Sequence, residues 1–112
     1  MGKDFLGEFE TVVLLALARL EEGAYAVSVH NEVFEETGRS VSIPAVYITL
    51  SRLEKKGMVT SWKGDPSPQR GGRAKRYFRL EPDGFRQLGQ SREMMARLWE
   101  GLNFDTGPGS GQ

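Results

Sequence analysis

Residues 64–84 read GDPSPQRGGRAKRYFRLEPDG, and this stretch decides the fold of the chain. Its first nine residues include five glycines and prolines, which interrupt helices and strands alike. The following residues 74–80 are rich in aromatic side chains, and residues 58–63 (MVTSWK) upstream are also strand-like. The sequence therefore predicts a β-hairpin of two short strands joined by an open loop, with Trp62 on the first strand expected in the core.

Three helices are predicted before the hairpin. In residues 6–20, 25–37 and 42–56, apolar side chains recur at the three- and four-residue spacing of one helical face. A glycine follows each of these segments closely, as is common where a helix ends. A fourth helix is predicted over residues 81 to about 102, and residues 105–112 (DTGPGSGQ) have the composition of a disordered tail.

The third predicted helix has two different faces. Ser42 is placed to cap it, and Pro44 fits its first turn, where a missing N–H costs nothing. Its inward side chains are Val46, Leu50 and Leu53. The side chains left mostly outward are Ala45, Ile48, Thr49, Arg52, Lys55 and Lys56.

The first predicted helix carries more apolar surface than one small core requires. Besides its inward stripe, it has a second apolar strip made by Phe5, Val12 and Leu15. A helix that is apolar on two sides is either central in its own fold or shared with a partner. The pattern leaves both possibilities open.

The charge of the chain is divided sharply along the sequence. The net charge is zero, yet residues 39–80 contain ten basic and two acidic residues, a net charge of +8. The remainder of the chain carries −8. Such segregation indicates a surface that faces a polyanion, with an acidic surface opposite to it.

Several classes of protein are excluded by the residue types present. The chain has no cysteine, which rules out disulfides and thiolate metal sites. No nucleophile elbow or paired-carboxylate motif is present, and the glycine-rich loop lacks the GK[ST] ending of a phosphate-binding loop. We therefore predict neither an enzyme nor a cofactor. His30, without a cysteine or an acidic cluster at metal spacing, is predicted to be structural.

The location of the protein is predicted from what the sequence lacks. The N-terminal residues carry an acid directly after their one base, and no signal-peptide core follows. No apolar run approaches the roughly 20 residues that a membrane span requires. We expect a cytoplasmic protein without a membrane partner.

Three stretches together resemble the N-terminal domain of the PadR family of winged-helix regulators: LGEFETVVLLALARL (6–20), SVSIPAVYITLSRLEKKGMV (40–59) and residues 64–84. The resemblance implies an α+β, mainly helical fold, a winged helix-turn-helix with three helices, a two-stranded wing and a long C-terminal dimerisation helix. The implied division is a DNA-binding domain at 1–80, a dimerisation helix at 81–102 and a tail at 103–112. Pro44 departs from the family's pattern, in which a glycine or another small residue is common.

DNA-binding residues follow from the resemblance and from the outward face of the third helix. In a winged helix, this helix enters the major groove and the wing lies beside it against phosphate or the minor groove. The predicted contacts are Ser42, Ala45, Tyr47, Ile48, Thr49, Arg52, Arg70, Arg73 and Lys75. The family places at Tyr47 a tyrosine that commonly contacts the DNA backbone. Since alternate residues of a strand face opposite sides, Lys75 and Arg76 are not both expected to face DNA, and Arg70 and Arg73 are favoured.

The resemblance also implies a dimer. Short members of the family dimerise largely through the first and last helices, which accounts for the surplus of apolar residues there. The predicted interface residues are Phe5, Val12, Leu15, Leu88, Met95, Trp99 and Leu102. Some members bind a flat aromatic compound between paired tryptophans, and Met95 and Trp99 are the candidates for such a ligand pocket. The alternative for these two residues is plain dimer packing.

The predicted function is a homodimeric transcriptional regulator, in particular a repressor, that binds a roughly palindromic operator in double-stranded DNA. The resemblance implies relief of repression by a small molecule or another signal. Two other classes stay open: a winged-helix module that binds a protein instead of DNA, and a ligand-sensing protein with vestigial DNA binding. The +8 segment favours DNA over the protein-binding module, which needs no basic charge on both the third helix and the wing.

Overall fold

A computed structural model describes residues 6–64 and 75–103 of the chain, which form four helices and a two-stranded sheet. The elements in chain order are the helices α1 (Glu8–Leu20), α2 (Ala26–Thr37) and α3 (Ile43–Lys55), the strands β1 (Val59–Lys63) and β2 (Arg76–Leu80), and the helix α4 (Pro82–Trp99). Three helices followed by a hairpin and a final helix make the predicted winged helix.

The boundaries of three elements differ from the predicted ones. Strand β2 begins at Arg76 instead of residue 74, and α4 ends at Trp99, so that Leu102 lies in the turn beyond it. Helix α1 also begins two residues later than predicted, at Glu8, and the remaining boundaries agree to within one residue. Several predicted features lie outside the described residues, namely Phe5, the wing loop with Arg70 and Arg73, and the tail from residue 104.

Local interactions explain where α3 begins and where α2 and α3 end. The Ser42 hydroxyl oxygen accepts a hydrogen bond from the Ala45 amide at 3.1 Å, which confirms the predicted cap. Gly38 after α2 and Gly57 after α3 have φ angles of 74° and 82°, a left-handed conformation that glycine adopts without strain. These tight ends keep the connections short and bring α2 and α3 together.

The hydrophobic core lies between the first three helices and the sheet. Leu14 of α1, Leu50 of α3 and Phe78 of β2 are all fully buried. Val29 from α2 and Met58, just before β1, complete this cluster. Every element up to β2 therefore contributes to one core, and α3 is fixed against it.

The sheet is tied to the helices by a short bridge. Strands β1 and β2 pair antiparallel, with Ser61 opposite Phe78. Ala24, between α1 and α2, exchanges two hydrogen bonds with Phe78, from the Ala24 amide to the Phe78 carbonyl at 3.0 Å and from the Phe78 amide to the Ala24 carbonyl at 2.8 Å. Because Phe78 is also buried, the base of the wing is held by both its backbone and its side chain.

Helix α4 packs against the core near its start. A Cβ atom at Gly84 would lie 2.5 Å from the carbonyl oxygen of Met58, so this glycine permits the close approach of α4. Leu88 is half-buried against the core, whereas Met95 and Leu98 further along are 50% and 66% exposed. Neither α4 nor any other helix within the described ranges is long and apolar enough to cross a membrane.

Two predicted side-chain orientations are wrong. Thr49 does not face outward but is 4% exposed, because at about 100° per residue it falls on the same side of α3 as Val46 and Leu53. Trp62 is not a core residue and is 37% exposed. It lies on the face of the sheet opposite to Phe78, since it is adjacent in the pairing to Ser61 and side chains alternate along a strand.

Candidate nucleic-acid interface

The outward face of α3 combines apolar and basic side chains. Pro44 and Ile48 lie one turn apart on this face, and Ile48 is 54% exposed. Arg52, one further turn along, and Lys55 are also exposed. Ala45, next to the Ser42 cap, is half-buried. Apolar groups can contact thymine methyls, and arginine and lysine can bind guanine edges or phosphate, so this row is suited to a major groove.

Tyr47 is held beside this face by the core. Its ring meets the buried Phe78 ring edge-on, with centroids 5.9 Å apart and planes at 78°. The residue is nevertheless 41% exposed. An aromatic side chain fixed in this way loses little further conformational entropy when its exposed part contacts a ligand.

Two cations of the basic segment are paired with acids of α1. Arg39 forms an ion pair with Glu8 at 2.7 Å, and Lys56 forms one with Glu10 at 2.9 Å. Burial raises the pKa of Glu10, but hydrogen bonds from the Gly7 amide and the Lys56 ammonium outweigh this and hold the pKa below its usual value. These contacts fix the C-terminal ends of α2 and α3 to α1 and neutralise part of the basic charge of residues 39–80.

Three other cations of the same segment form no ion pair in the described part of the chain, although Arg52 is close enough to Glu10 to help lower its pKa. Within residues 6–64 and 75–103, Arg52, Lys55 and Lys63 form no ion pair. All three are exposed, two on α3 and one at the end of β1. Cations in this state gain from phosphate contact by counterion release without first breaking an ion pair.

The inner face of the wing, defined here as the sheet face that carries Phe78, is joined to α3 by polar contacts. An Nη1 hydrogen of Arg76 is donated to the Ser61 hydroxyl oxygen at 2.7 Å. The Ser61 hydroxyl in turn lies 2.9 and 2.8 Å from the two carboxylate oxygens of Glu54 on α3. The groups are partly buried, and the chain of contacts spans α3, β1 and β2.

The outer face of the wing, opposite to Phe78, is an aromatic cluster with two cations on it. Tyr77 stacks on Trp62 with centroids 5.8 Å apart and meets Tyr25 edge-on at 5.7 Å. Lys75 Nζ lies 3.7 Å from the centre of the Tyr25 ring, and Arg79 lies over Trp62 at 5.2 Å. These cations are therefore held against rings on the outer face.

The placement of the predicted wing residues follows from this geometry. Lys75 points to the outer face and Arg76 to the inner face, as strand alternation requires. Arg70 and Arg73 fall outside the described residues. The sequence-based set of DNA contacts omitted Lys63, and also Lys55, although Lys55 was among the side chains predicted to face outward. The spacing from Ile48 would have excluded Thr49 from this face.

The predicted dimer residues lie along α1 and α4. These two helices form the walls of a groove of about 560 Å³, lined by Leu15, Leu88 and Met95, among others. Leu15 is 49% exposed, whereas Val12 and Leu88 are half-buried against the core. In the final part of the described chain, Trp99 and Leu102 are 55% and 56% exposed.

His30 and the acidic residues within the described ranges form no candidate metal centre. Within the ranges that the structure describes, no three histidine, cysteine, aspartate or glutamate side chains come together in a way that could hold a metal ion. The Nδ1 atom of His30 is buried.

The chain is similar to a family of DNA-binding regulators. A family model described as "Transcriptional regulator PadR-like family" matches residues 13–90. This range contains most of α1, all of α2, α3 and the wing, and the first half of α4. Among curated protein sequences, none matches the chain.

Solved structures with the same architecture include regulators of this type. A PadR-like transcription factor from Bacteroides fragilis is 25% identical, with a TM-score of 0.70 over 82% of this chain and 84% of that one. A PadR family transcriptional regulator from Eggerthella lenta is 24% identical, with a TM-score of 0.66 over 84% and 81%. A RosR protein solved as a complex, from H. salinarum, is 23% identical, with a TM-score of 0.68 over 87% and 79%.

Proposed function

Because this chain belongs to the transcriptional regulator PadR-like family, we propose that it is a homodimeric repressor that binds a palindromic operator through α3 and the wing. Its general class is that of a DNA-binding transcriptional regulator and not of an enzyme. We place DNA binding in residues 1–80 and dimerisation in the helix that follows, and we expect the protein in the cytoplasm.

The observation that carries this proposal is the composition of the exposed face of α3. Ile48 offers an apolar contact, and Arg52 and Lys55 are exposed cations without an ion pair in the described part of the chain. Ile48 is not an isolated apolar residue, because Tyr47 beside it is 41% exposed, and the exposed cation Arg52 follows one turn later. Such a face is suited to read base edges and to bind phosphate.

The contacts that we propose in the DNA complex begin at the N-terminus of α3. Ser42 and Ala45 lie at that end, where helix N–H groups favour phosphate. Tyr47, anchored on Phe78, contacts the backbone, while Ile48 and Arg52 reach the bases. From the wing, Arg70 and Arg73 bind phosphate or the minor groove. Lys75 is left out of this set because it lies over the Tyr25 ring.

Dimerisation is proposed through α1 and α4. Leu15 and Met95 are half exposed along one groove, and Leu102 continues the apolar surface beyond the end of α4. A two-fold axis through this surface would place two α3 helices in successive major grooves, about one DNA turn apart. We propose that bound repressor occludes a promoter and that a small aromatic compound near Met95 and Trp99, or another signal, releases it.

The test is binding to a duplex from the protein's own upstream region, measured by fluorescence anisotropy at several salt concentrations. We expect tight binding that weakens with salt, and a random duplex of equal length bound far more weakly. Arg52→Ala should lower affinity for the upstream duplex by about tenfold, since a good side-chain contact to a base is worth roughly 1–3 kcal/mol.

The matched control is Arg86→Ala, which removes one positive charge from an exposed position on α4, where Arg86 pairs with Asp83. It should leave affinity within about twofold, because exposed ion pairs of this kind contribute little. Wild-type protein that binds neither duplex at low salt would refute DNA binding and favour the protein-binding module.

A further inference from the structure

We propose that Glu54, Ser61 and Arg76 form a positioning network that sets the wing against α3 and is needed for specific DNA binding. The inference rests on the proposed function, but its structural part does not depend on DNA. None of the three residues is proposed to touch the bases. Their role is to hold the two DNA-contacting elements in one fixed relation.

The geometry of the network is directional. Arg76 donates to the Ser61 oxygen at 2.7 Å, and the single hydroxyl hydrogen of Ser61 is left to donate to the Glu54 carboxylate, at 2.8 or 2.9 Å. A serine hydroxyl that accepts from a cation and donates to an anion is strengthened from both sides. The network therefore links charges on two different elements through one small side chain.

The pairing of the strands explains why Arg76 needs such a partner. Arg76 lies directly opposite Lys63 in the sheet, on the same face. Like charges directly opposite one another destabilise a strand pair. By drawing the Arg76 guanidinium toward Ser61 and Glu54, the network separates it from Lys63 and leaves the exposed Lys63 available to DNA.

Glu54 also has an unusual setting in the charge distribution. It is the only acidic residue of the +8 segment that the structure describes, since the other acid of that segment, Asp65, lies outside the described residues. An acid on the DNA-binding helix repels phosphate and so weakens every DNA contact. The presence of Glu54 on α3 is explained if its contact with the Ser61 hydroxyl fixes the wing and this outweighs the repulsion from phosphate.

Because of this position, the two interpretations of Glu54 predict opposite effects of the same substitution on DNA affinity. If Glu54 were only an acid near DNA, Glu54→Gln would remove repulsion and tighten binding to any duplex. If Glu54 positions the wing, the same variant should weaken binding to the upstream duplex by up to about tenfold, because the glutamine oxygen still accepts from Ser61 but without the assistance of a negative charge. Binding to a random duplex should not weaken, because nonspecific binding needs no fixed wing.

Ser61 supplies the charge-neutral tests. Ser61→Ala keeps every charge and removes the hydroxyl that connects the two elements, so it should weaken binding to the upstream duplex to a similar degree. Ser61→Thr keeps the hydroxyl in a residue that strands favour and should restore binding to within about twofold. Glu35→Gln, which removes an equal charge from an exposed position on α2, is the control and should change nothing.

A second readout is independent of DNA. Amide hydrogen exchange of Thr60 and Arg79, paired in the wing, should speed up in Ser61→Ala, while exchange of Leu17 in α1 should stay as in the wild type. Unchanged wing exchange, or upstream-duplex affinity in Glu54→Gln and Ser61→Ala equal to or above wild type, would overturn the network. Wild-type protein that binds no DNA would refute the proposed function alone, and exchange would still decide the structural claim.

Discussion

Helices α3 and α4 both expose apolar side chains, but only α3 is firmly supported by the rest of its own chain. Of 13 residues in α3, four are buried, namely Val46, Thr49, Leu50 and Leu53. Helix α4 is longer, with 18 residues, and within the described chain only Gly84 of it is buried. The comparison teaches that the orientation of α3 is fixed by the core of its own chain, whereas the outer half of α4 is left uncovered by the described residues.

The largest effect is expected where α3 meets the core. Leu50→Ala removes a fully buried side chain and should lower the free energy of unfolding by about 2–5 kcal/mol, through lost burial and the cavity that remains. Ile48→Ala, on the exposed face of the same helix, should change it by less than about 0.5 kcal/mol. Urea unfolding measures both variants. If Leu50→Ala and Ile48→Ala lowered the free energy of unfolding equally, α3 would not be held in place by its buried side chains.

The next effect concerns the outer half of α4. Met95→Lys places a charge in an apolar groove and should make the protein monomeric in sedimentation experiments at micromolar concentration. Loss of the second half-site contact should then weaken upstream-duplex binding by about tenfold to a hundredfold. Phe34→Lys, at a site on α2 that is 53% exposed, is the matched control and should stay dimeric. If Met95→Lys and Phe34→Lys had the same oligomeric state in sedimentation experiments, the dimer interface would not lie on the outer half of α4.

A smaller effect separates two glycines within α4. Alanine at Gly84 would bring its Cβ within 2.5 Å of the Met58 carbonyl and 2.7 Å of Leu80 Cδ1, so Gly84→Ala should cost about 1–2 kcal/mol. Gly89→Ala meets no atom within 4 Å and should stabilise the helix by roughly 0.5–1 kcal/mol. Thermal unfolding in the Met95→Lys background measures the two without contributions from a partner chain. A stabilising Gly84→Ala would show that α4 is not held close to the core at its start.

The smallest effect tests how α1 holds the end of α3. The pKa of Glu10 lies below its usual value, despite burial that raises it, because Gly7 and Lys56 donate hydrogen bonds to its carboxylate. The stabilisation is therefore fully present above about pH 4.5, the ordinary pKa of this carboxyl, and is lost as the pH falls through the lower pKa of the folded state. A double-mutant cycle of Glu10→Gln and Lys56→Gln should show a coupling at pH 7 that disappears toward pH 2. A coupling that persists in acid would contradict this ion pair.

Much of the fold was predictable because it depends on local signals. The cap at Ser42, the glycine after each helix and the glycine-rich loop between two strands each act within a few residues of chain. The family resemblance added the order of the elements and the regulatory function. The exposed row of Ile48 and Arg52 could be predicted from helical spacing alone.

The features that sequence reasoning missed depend on contacts between distant residues. Trp62 has the composition of a core residue, but the pairing register places it on the outer face, where Tyr77 covers it. The link from Glu54 to Arg76 joins three elements, and no spacing along the chain indicates it. Thr49 is different, because the same spacing that buried Val46 and Leu53 would have buried it too.

The bridge between Ala24 and Phe78 has a consequence for how the molecule folds and opens. A two-stranded hairpin is marginally stable by itself. This bridge joins Ala24, between α1 and α2, to Phe78 in β2, and so closes a long loop of chain. Contacts between residues so far apart in sequence form late, after the helices have nucleated locally. Detachment of the wing would expose Val59, Phe78 and Leu80, which belong to the same core as the three helices. Opening of the wing is therefore coupled to loss of that core, and the wing and the helices form one cooperative unit.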